Sequence, residues 1–565
     1  MTQIGIKTLR DSAGMRWTAL LLLALAMFCA YIFMDILSPI KDLMESTRGW
    51  DSASFGRMQG AEVFLNVYVF FLIFAGIILD KMGVRFTAVL SGAVMLFGGL
   101  IKFYAVSDMF TGTALEQWFT THLNWNGELP IIGAILPFCN GMPASAKLAA
   151  LGFMFFGCGC EMAGITVSRG IVKWFKGRET ALAMGSEMAL ARLGVATCMI
   201  FSPYFAKLGG GIHVDNAVKF GVVLLCIALI MFITYFFMDK KLDSQTGEAE
   251  EKDDPFKISD LGKIFSSLGF WLVALLCVLY YSAIFPFQKY AVNMLQCNLD
   301  LTAATPDTFW GGNTVTIVQY VIMLVVAACA FSSNFIKTNK GLKYGLMGVA
   351  VVALVVYCYM GYMRGTAETI FAVFPLLAVA ITPILGNYVD HKGKAASMLM
   401  LGSILLVVCH LTFAFILPGV SASSAAGGVV VAYVTILVLG ASFSLVPAAL
   451  WPSVPKLVDE KIIGSAYAAI FWIQNIGLGL FPTLIGNVLE SSNANNAAVI
   501  AAKTAIEAGE EGVLVPYDYK WALVMLASLG IAALLISIYL KAVDKKKGYG
   551  LEQPNIVEQA EAKAE

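Results

Sequence analysis

Glu161 and Arg192 are the residues of this chain from which a binding site is most readily built. Each lies inside a long apolar stretch, where an ionised side chain costs about 2.5–3.5 kcal/mol on insertion scales and is retained for a partner or a ligand. Glu161 stands thirteen residues before Trp174, and Arg192 stands thirteen after Glu179, with the run WFKGRE at 174–179 between them. If that run is the turn between two antiparallel helices, a rise of 1.5 Å per residue puts both charges roughly 20 Å from it, at one depth. Such a pair either ties two helices together or faces a cavity. In a cavity it meets the two ends of a zwitterionic solute, guanidinium to carboxylate and carboxylate to ammonium. Glu187, five residues before Arg192, is rotated about 140° from it on an ideal helix and makes a poorer partner.

Other candidates follow by the same logic. Gln474 and Asn475 precede Gly477 as Ala191 and Arg192 precede Gly194, so two amides recur where the first stretch has its arginine. They suit a cavity wall or interhelical hydrogen bonding. Tyr280, Tyr281, Phe285 and Trp451 either line a cavity or pack. Asp35 and Glu62 fall towards the ends of their stretches, where water can reach, and fit a gate or proton site. His410 is a lone histidine in an apolar stretch, read as an interior residue before a proton relay. Cys158 and Cys160 are spaced as neither a zinc nor a redox pair, and nearly all eleven cysteines lie in apolar windows, so no disulfide framework is expected.

The elements that must position these groups are membrane spans. Of 565 residues, 59% are apolar and 13% charged, too little charge for a water-soluble domain. Apolar windows of about 20 residues, the length that crosses hydrocarbon, recur along the chain. Fourteen spans are expected: 17–40, 58–80, 84–106, 148–172, 179–205, 217–238, 267–289, 313–333, 342–363, 368–388, 395–417, 428–450, 463–488 and 519–541. The first is read as a retained helix, since no leader with a cleavage site precedes it. Loops rich in Lys and Arg alternate with poor ones, and the positive-inside bias places both termini in the cytoplasm, with Lys81, Arg85, Lys173, Lys337, Lys392 and Lys461 on that side. Residues 239–266 are charged, without an apolar face, and read as a linker between a bundle at 1–238 and a second at 267–547. Residues 107–146 form an outside insertion whose apolar piece at 129–139 is too short to span, and 548–565 read as a disordered tail.

The halves carry a repeated motif. Gly76, Asp80 and Gly83, followed by Arg85, recur in Gly-x3-Asp-x2-Gly spacing as Gly386, Asp390 and Gly393, followed by Lys394, both between consecutive spans and both on the cytoplasmic side. Gly76 and Gly386 allow close helix approach, Gly83 and Gly393 a tight turn, and the aspartates can accept from the amides of a neighbouring helix N-terminus. This resembles the signature loop of the major facilitator superfamily. The resemblance implies an all-α membrane protein of two six-helix bundles. The spans near 313–363 are then surplus, an inserted two-helix hairpin that leaves later topology unchanged.

The stretches at 157–194, 280–287 (YYSAIFPF) and 449–480, with His410 and Asp35, resemble more narrowly the lysosomal dipeptide uniporter branch of that superfamily. The resemblance implies a transporter whose Glu161 and Arg192 engage peptide termini, with Trp451, Gln474, Asn475 and Tyr281 near the ligand. It implies a small-molecule substrate and a lipid surround, with no cofactor, metal or nucleic acid, in a monomer. A proton-coupled transporter of an organic-anion or drug-like solute is the alternative, and a transporter-like sensor a further one. The hairpin and the 107–146 insertion depart from the branch. No Asn-x-Ser/Thr sequon occurs, so a cell inner membrane is expected rather than a glycosylated lumen. Walker, His-Glu-x-x-His and Gly-x-Ser-x-Gly motifs are missing, which speaks against an enzyme.

Overall fold

A computed structural model describes residues 8–124, 136–176, 178–246, 258–299, 313–333, 336, 339–364, 366–458 and 463–554. The first half of the chain folds as α1 (Ala13–Asp35), α2 (Lys41–Arg48), α3 (Ser52–Gly60), α4 (Phe64–Tyr68), α5 (Phe71–Val106), α6 (Ala114–Thr121), α7 (Ala144–Trp174), α8 (Thr180–Ala206) and α9 (Val214–Thr246). The second comprises α10 (Ile258–Phe265), α11 (Leu268–Leu299), α12 (Asn313–Ser333), α13 (Lys340–Arg364), α14 (Ala367–Lys392), α15 (Ala395–Leu411), α16 (Leu417–Ser423), α17 (Ala425–Leu457), α18 (Ile463–Ser492), α19 (Ala497–Glu507) and α20 (Lys520–Lys547). No strand occurs among the described residues. In hydrocarbon every backbone polar group must find a partner within its own segment, and helices achieve this.

Twelve stretches among the described residues are long and apolar enough to cross a membrane, against the fourteen expected. The 58–80 stretch is not one helix. Phe70 adopts left-handed backbone (φ 55°) between α4 and α5, a conformation that side chains other than glycine rarely take. The break frees the Val67 carbonyl, and the Trp472 indole N–H of α18 donates to it at 3.0 Å. The rest of this stretch and the expected third span follow as two helices that meet at Gly83 (φ 80°, ψ 164°), where the helical conformation is interrupted. In α12 the described apolar piece, Ile317–Ser333, falls short of a crossing length. α12 and α13 pack on each other, and α12 also touches α8 and α14.

Two expected boundaries shift. The charged linker from 239 does not begin as free chain, because α9 runs on to Thr246. Asp239 is fully buried and accepts from Lys173 Nζ (2.7 Å) and Trp174 Nε1 (2.9 Å), which pins this stretch to the end of α7. The tail from 548 likewise begins packed: Ala395 N–H donates to the Leu551 carbonyl, Ser397 binds the Glu552 carboxylate, and Leu551 is buried. Residues 555–565, Lys337, Lys461 and most of the apolar piece at 129–139 lie outside the described residues.

The ends of α1, α7, α9 and α20 that carry the Lys173 and Asp239 contacts and the chain termini define one face, here the terminal face; the opposite one is the far face. At the far face the halves meet through α3 and α18, where Gly60 and Gly479 touch backbone to backbone. A methyl group at position 60 would collide with the Gly479 carbonyl. α8 and α14 make the second long contact between the halves.

Candidate functional site

Between the halves lies a cavity of about 1000 Å³. Tyr31 of α1, Glu161 of α7, Glu187 and Arg192 of α8 and Phe471 of α18 line its depth, while Arg169, Lys173, Lys176 and Asp243 line it towards the terminal face. The two charges placed at equal depth by counting residues therefore do share one aqueous space. They do not form the ion pair expected of them. Glu161 Oε1 instead accepts from Asn475 Nδ2 of the other half at 3.0 Å. The Arg192 guanidinium lies over the rings of Phe443 (5.0 Å), Phe285 (5.1 Å) and Tyr31 (5.9 Å), a cation–π cage drawn from both halves. Glu187, set aside on angle alone, lines the same cavity and feels the Arg192 charge. An ideal helix fixes the direction of the Cα–Cβ bond, not where a four-bond side chain ends.

The remaining candidates separate into wall and packing. Phe471 lines the cavity; the Trp451 ring stacks on it at 4.8 Å, and Trp451 Nε1 donates to the Tyr281 hydroxyl at 3.1 Å. Gln474 is buried, with its Oε1 facing the Cys277 thiol at 3.3 Å, so its amide serves interhelical bonding. His410 is fully buried, Nδ1 on the Leu406 carbonyl (2.9 Å) and ring against Phe287 (5.2 Å), an interior position apart from the cavity.

The repeated motif does part of what was expected. Gly83 and Gly393 both take positive φ, 80° and 73°, as the tight turns require. Gly76 and Gly386 have nothing within 4 Å of where a Cβ would stand, so neither brings helices together here. The cavity opens on this face and holds the helices apart. Asp80 accepts from the Arg169 guanidinium of α7 at 2.5 Å, not from helix amides, and Arg85 pairs with Asp243 of α9 at 2.7 Å. Both bonds stay within the first half. Asp390 lies in the electrostatic range of Lys456.

Of Asp35 and Glu62, both expected where water can reach, Asp35 is sealed beneath the far face while Glu62 stays partly exposed. Asp35 is 1% exposed and accepts from Lys289 Nζ (2.8 Å) and Gln288 Nε2 (2.7 Å), both on α11 of the second half. Glu62 lies 3.8 Å from the same ammonium. Lys102, fully buried, sits 3.7 Å over the Phe153 ring with no hydrogen-bond partner for its ammonium. Sequence reasoning passed over Lys102 and Lys289, although the rule that flags a charge inside an apolar stretch flags both.

Two helical bundles, shut against each other on one face around a central cavity that opens on the other, are the arrangement of an alternating-access membrane carrier. Residues 23–367 match the family model described as the Major Facilitator Superfamily, and the chain belongs to that family. Among characterised relatives, the lysosomal dipeptide transporter MFSD1 of Bos taurus is 24% identical over 368 residues, covering 64% of this chain and 63% of that protein. The Danio rerio protein of the same name is 23% identical over 472 residues, 82% of this chain and 78% of that one. The chain thus matches less than two thirds of the bovine relative's length. Among solved structures, a nucleoside transporter NupG mutant superposes with a TM-score of 0.57 at 12% identity, covering 92% of this chain and 99% of that one. A bacterial homologue of the human lysosomal transporter Spinster, inward-facing and occupied, gives 0.51 at 14% identity, covering 95% and 98%. These two establish the fold alone. The chain is thus a multi-pass membrane protein of the superfamily.

Proposed function

We propose that this carrier moves a small zwitterionic organic solute, dipeptides foremost, across a cell inner membrane by alternating access, with both termini cytoplasmic and α12–α13 as a membrane-inserted hairpin. The observation that carries this reading is the open gap between Glu161 and Arg192. A carboxylate and a guanidinium line one cavity without forming an ion pair with each other: the first accepts from an amide, and the second lies over aromatic faces with the Glu187 charge in electrostatic range. A zwitterion supplies what each lacks, an ammonium for Glu161 and a carboxylate for Arg192, and charge-assisted bonds of this kind are roughly twice as strong as neutral ones. The relatives named as dipeptide transporters support the same class. Lys- and Arg-rich turns on the terminal face support the orientation.

A second reading, an organic anion, draws on five basic cavity residues (Arg10, Arg169, Lys173, Lys176, Arg192) against three acidic (Glu161, Glu187, Asp243). That excess is offset near the terminal face, where Arg169 pairs with Asp80 and Lys173 with Asp239 and Asp243. The test is uptake of labelled dipeptides and of organic anions into proteoliposomes, with and without a pH gradient, for wild type and Arg192→Ala. Dipeptide uptake that Arg192→Ala abolishes without loss of folded protein is the expected outcome. Uptake of anions only, or undiminished uptake by the variant, overturns the reading; dependence on the gradient separates proton coupling from uniport.

A further inference from the structure

The seal at the far face contains a hydrogen-bond count that does not close. The Tyr517 hydroxyl, in the loop between α19 and α20, lies 2.5 Å from Glu45 Oε1 of α2 and 2.7 Å from Glu490 Oε1 of α18. A phenol carries one hydrogen, and an ionised carboxylate only accepts. One of these two short contacts is therefore a bond, and the other, with both acids ionised, sets oxygen lone pairs against each other. Glu45 and Tyr517 are buried, to 4% and 3% exposure, so water does not relieve the contact between them, whereas Glu490 is partly exposed.

The surroundings say which acid lacks the donor. Glu490 also accepts from Lys503 Nζ (2.5 Å, on Oε2) and from the Ser52 backbone N–H (3.0 Å, on Oε1), and is the better-compensated anion. Glu45 has one further partner, Lys41 Nζ at 2.9 Å on Oε2. Glu45, the less compensated of the two, is accordingly the acid that takes up a proton, which leaves the phenol hydrogen free for Glu490. Burial and the two neighbouring carboxylates push the Tyr517 hydroxyl far above its ordinary value, so the phenol keeps its hydrogen.

We propose that Glu45, Tyr517 and Glu490 form a proton-binding site that is filled when the far face is closed and empties when it opens. One proton from the far-side solution protonates Glu45 at Oε1. That O–H donates to the Tyr517 oxygen, whose own O–H donates to Glu490, and both short contacts become hydrogen bonds. Glu45 belongs to the first half and Glu490 and Tyr517 to the second, so the bridge exists only while the halves are together; on opening, water solvates each carboxylate and the proton returns to solution. Because the closed state binds the proton more tightly, acid on the far side favours closure and alkali favours opening. For one proton the ratio of closed to open changes by at most about tenfold per pH unit.

Other titratable and charged groups face this site. Lys41 and Asp42 approach from α2, Asp51 from the N-cap of α3, Tyr290 and Cys297 from α11, Lys503 from α19, and Tyr519 from the same loop. Of these Asp42 is the competitor, since its Oδ1 is buried without a hydrogen-bond partner while Oδ2 accepts from Gln296 at 3.3 Å. It does not share a single hydrogen with a second carboxylate. The Tyr290 hydroxyl lies 2.9 Å from the Ser52 carbonyl and 3.0 Å from the Pro482 carbonyl, and its single hydrogen serves these neutral acceptors rather than a carboxylate, while Tyr519 donates to Asn293.

The test needs no substrate and therefore stands or falls apart from the proposed solute. Deuterium exchange of the full chain in nanodiscs is followed at the segments 41–60 and 484–493 from pH 5 to pH 8, corrected for the intrinsic pH dependence of exchange. Wild type is expected to lose protection as pH rises, with a slope not exceeding about tenfold per unit. Glu45→Gln, whose amide donates permanently, should stay protected throughout, and Tyr517→Phe should be unprotected at both ends. Protection in wild type that does not vary with pH overturns the proposal and needs no variant to fold. So does a pH response that survives Glu45→Gln and disappears in Asp42→Asn.

Discussion

Lys289 is the residue whose replacement reports most directly on how the far face is held. Its ammonium leaves the second half to meet Asp35 at 2.8 Å and Glu62 at 3.8 Å in the first, and it also donates to the Met34 carbonyl at 3.3 Å. With Lys289→Met the closed state keeps a carboxylate, Asp35, that is 1% exposed and has lost its cation, though Gln288 and Ser38 still donate to it. Removing one partner of a buried ion pair costs roughly 3–5 kcal/mol, chiefly for the charge left behind. The two amide and hydroxyl donors that remain place this case near the lower figure. In the open state the same carboxylate faces vestibule water and loses little. The substitution therefore moves the balance of far-closed to far-open by about 3 kcal/mol, or on the order of 100-fold, since about 1.4 kcal/mol is a factor of ten. Deuterium exchange of the 52–60 segment at fixed pH measures this as faster exchange in Lys289→Met. Adding Asp35→Asn removes the orphaned charge, so the double variant should recover most of the protection, and the cycle isolates the pair. Equal exchange in wild type, single and double variants would show that the ion pair carries no share of closure.

Two further outcomes follow from backbone geometry. Gly60→Leu puts a side chain into the Gly479 carbonyl where α3 meets α18, so the far face cannot shut; transport should fall at least about tenfold, while expression and folded yield persist, as transport assays beside size-exclusion profiles would show. Gly83→Ala forces a Cβ into φ 80°, ψ 164°, a region essentially reserved for glycine, at a cost of about 1–3 kcal/mol; a thermal midpoint in detergent lower by a few degrees is expected, and an unchanged midpoint would count against that strain.

The bundle architecture was legible because membrane solvent imposes one strong rule, an apolar helix of crossing length, and because duplicated loops mark the two halves. The rule fails where a span is interrupted. Nothing in the composition around Val69 and Phe70 announces that the helix breaks, since the cause lies some 400 residues away, in the Trp472 indole that takes up the freed carbonyl. The motif glycines show the same limit. Gly83 and Gly393 are demanded by local backbone conformation and can be read locally, whereas the contacts of Gly76 and Gly386 depend on how far the halves have rocked.

The site itself was half legible, for a reason that bears on mechanism. Residue counting estimates depth, and Glu161 and Arg192, set at one depth by it, line the same cavity. Pairing is decided laterally and by conformation: Asn475 and Phe443, which occupy the two charges here, come from the other half, and their reach changes as the halves move. The same distinction separates the two ends of the molecule. Asp35 with Lys289, and Glu45 with Tyr517, are bonded across the halves, so opening this face would break these contacts, while Asp80 with Arg169 and Arg85 with Asp243 are bonded within one half. The far face thus stores its closing energy in polar contacts between halves that opening must break. The terminal face, open here, keeps its charges satisfied within the first half, which lets it stand apart from the second without leaving these charges uncompensated.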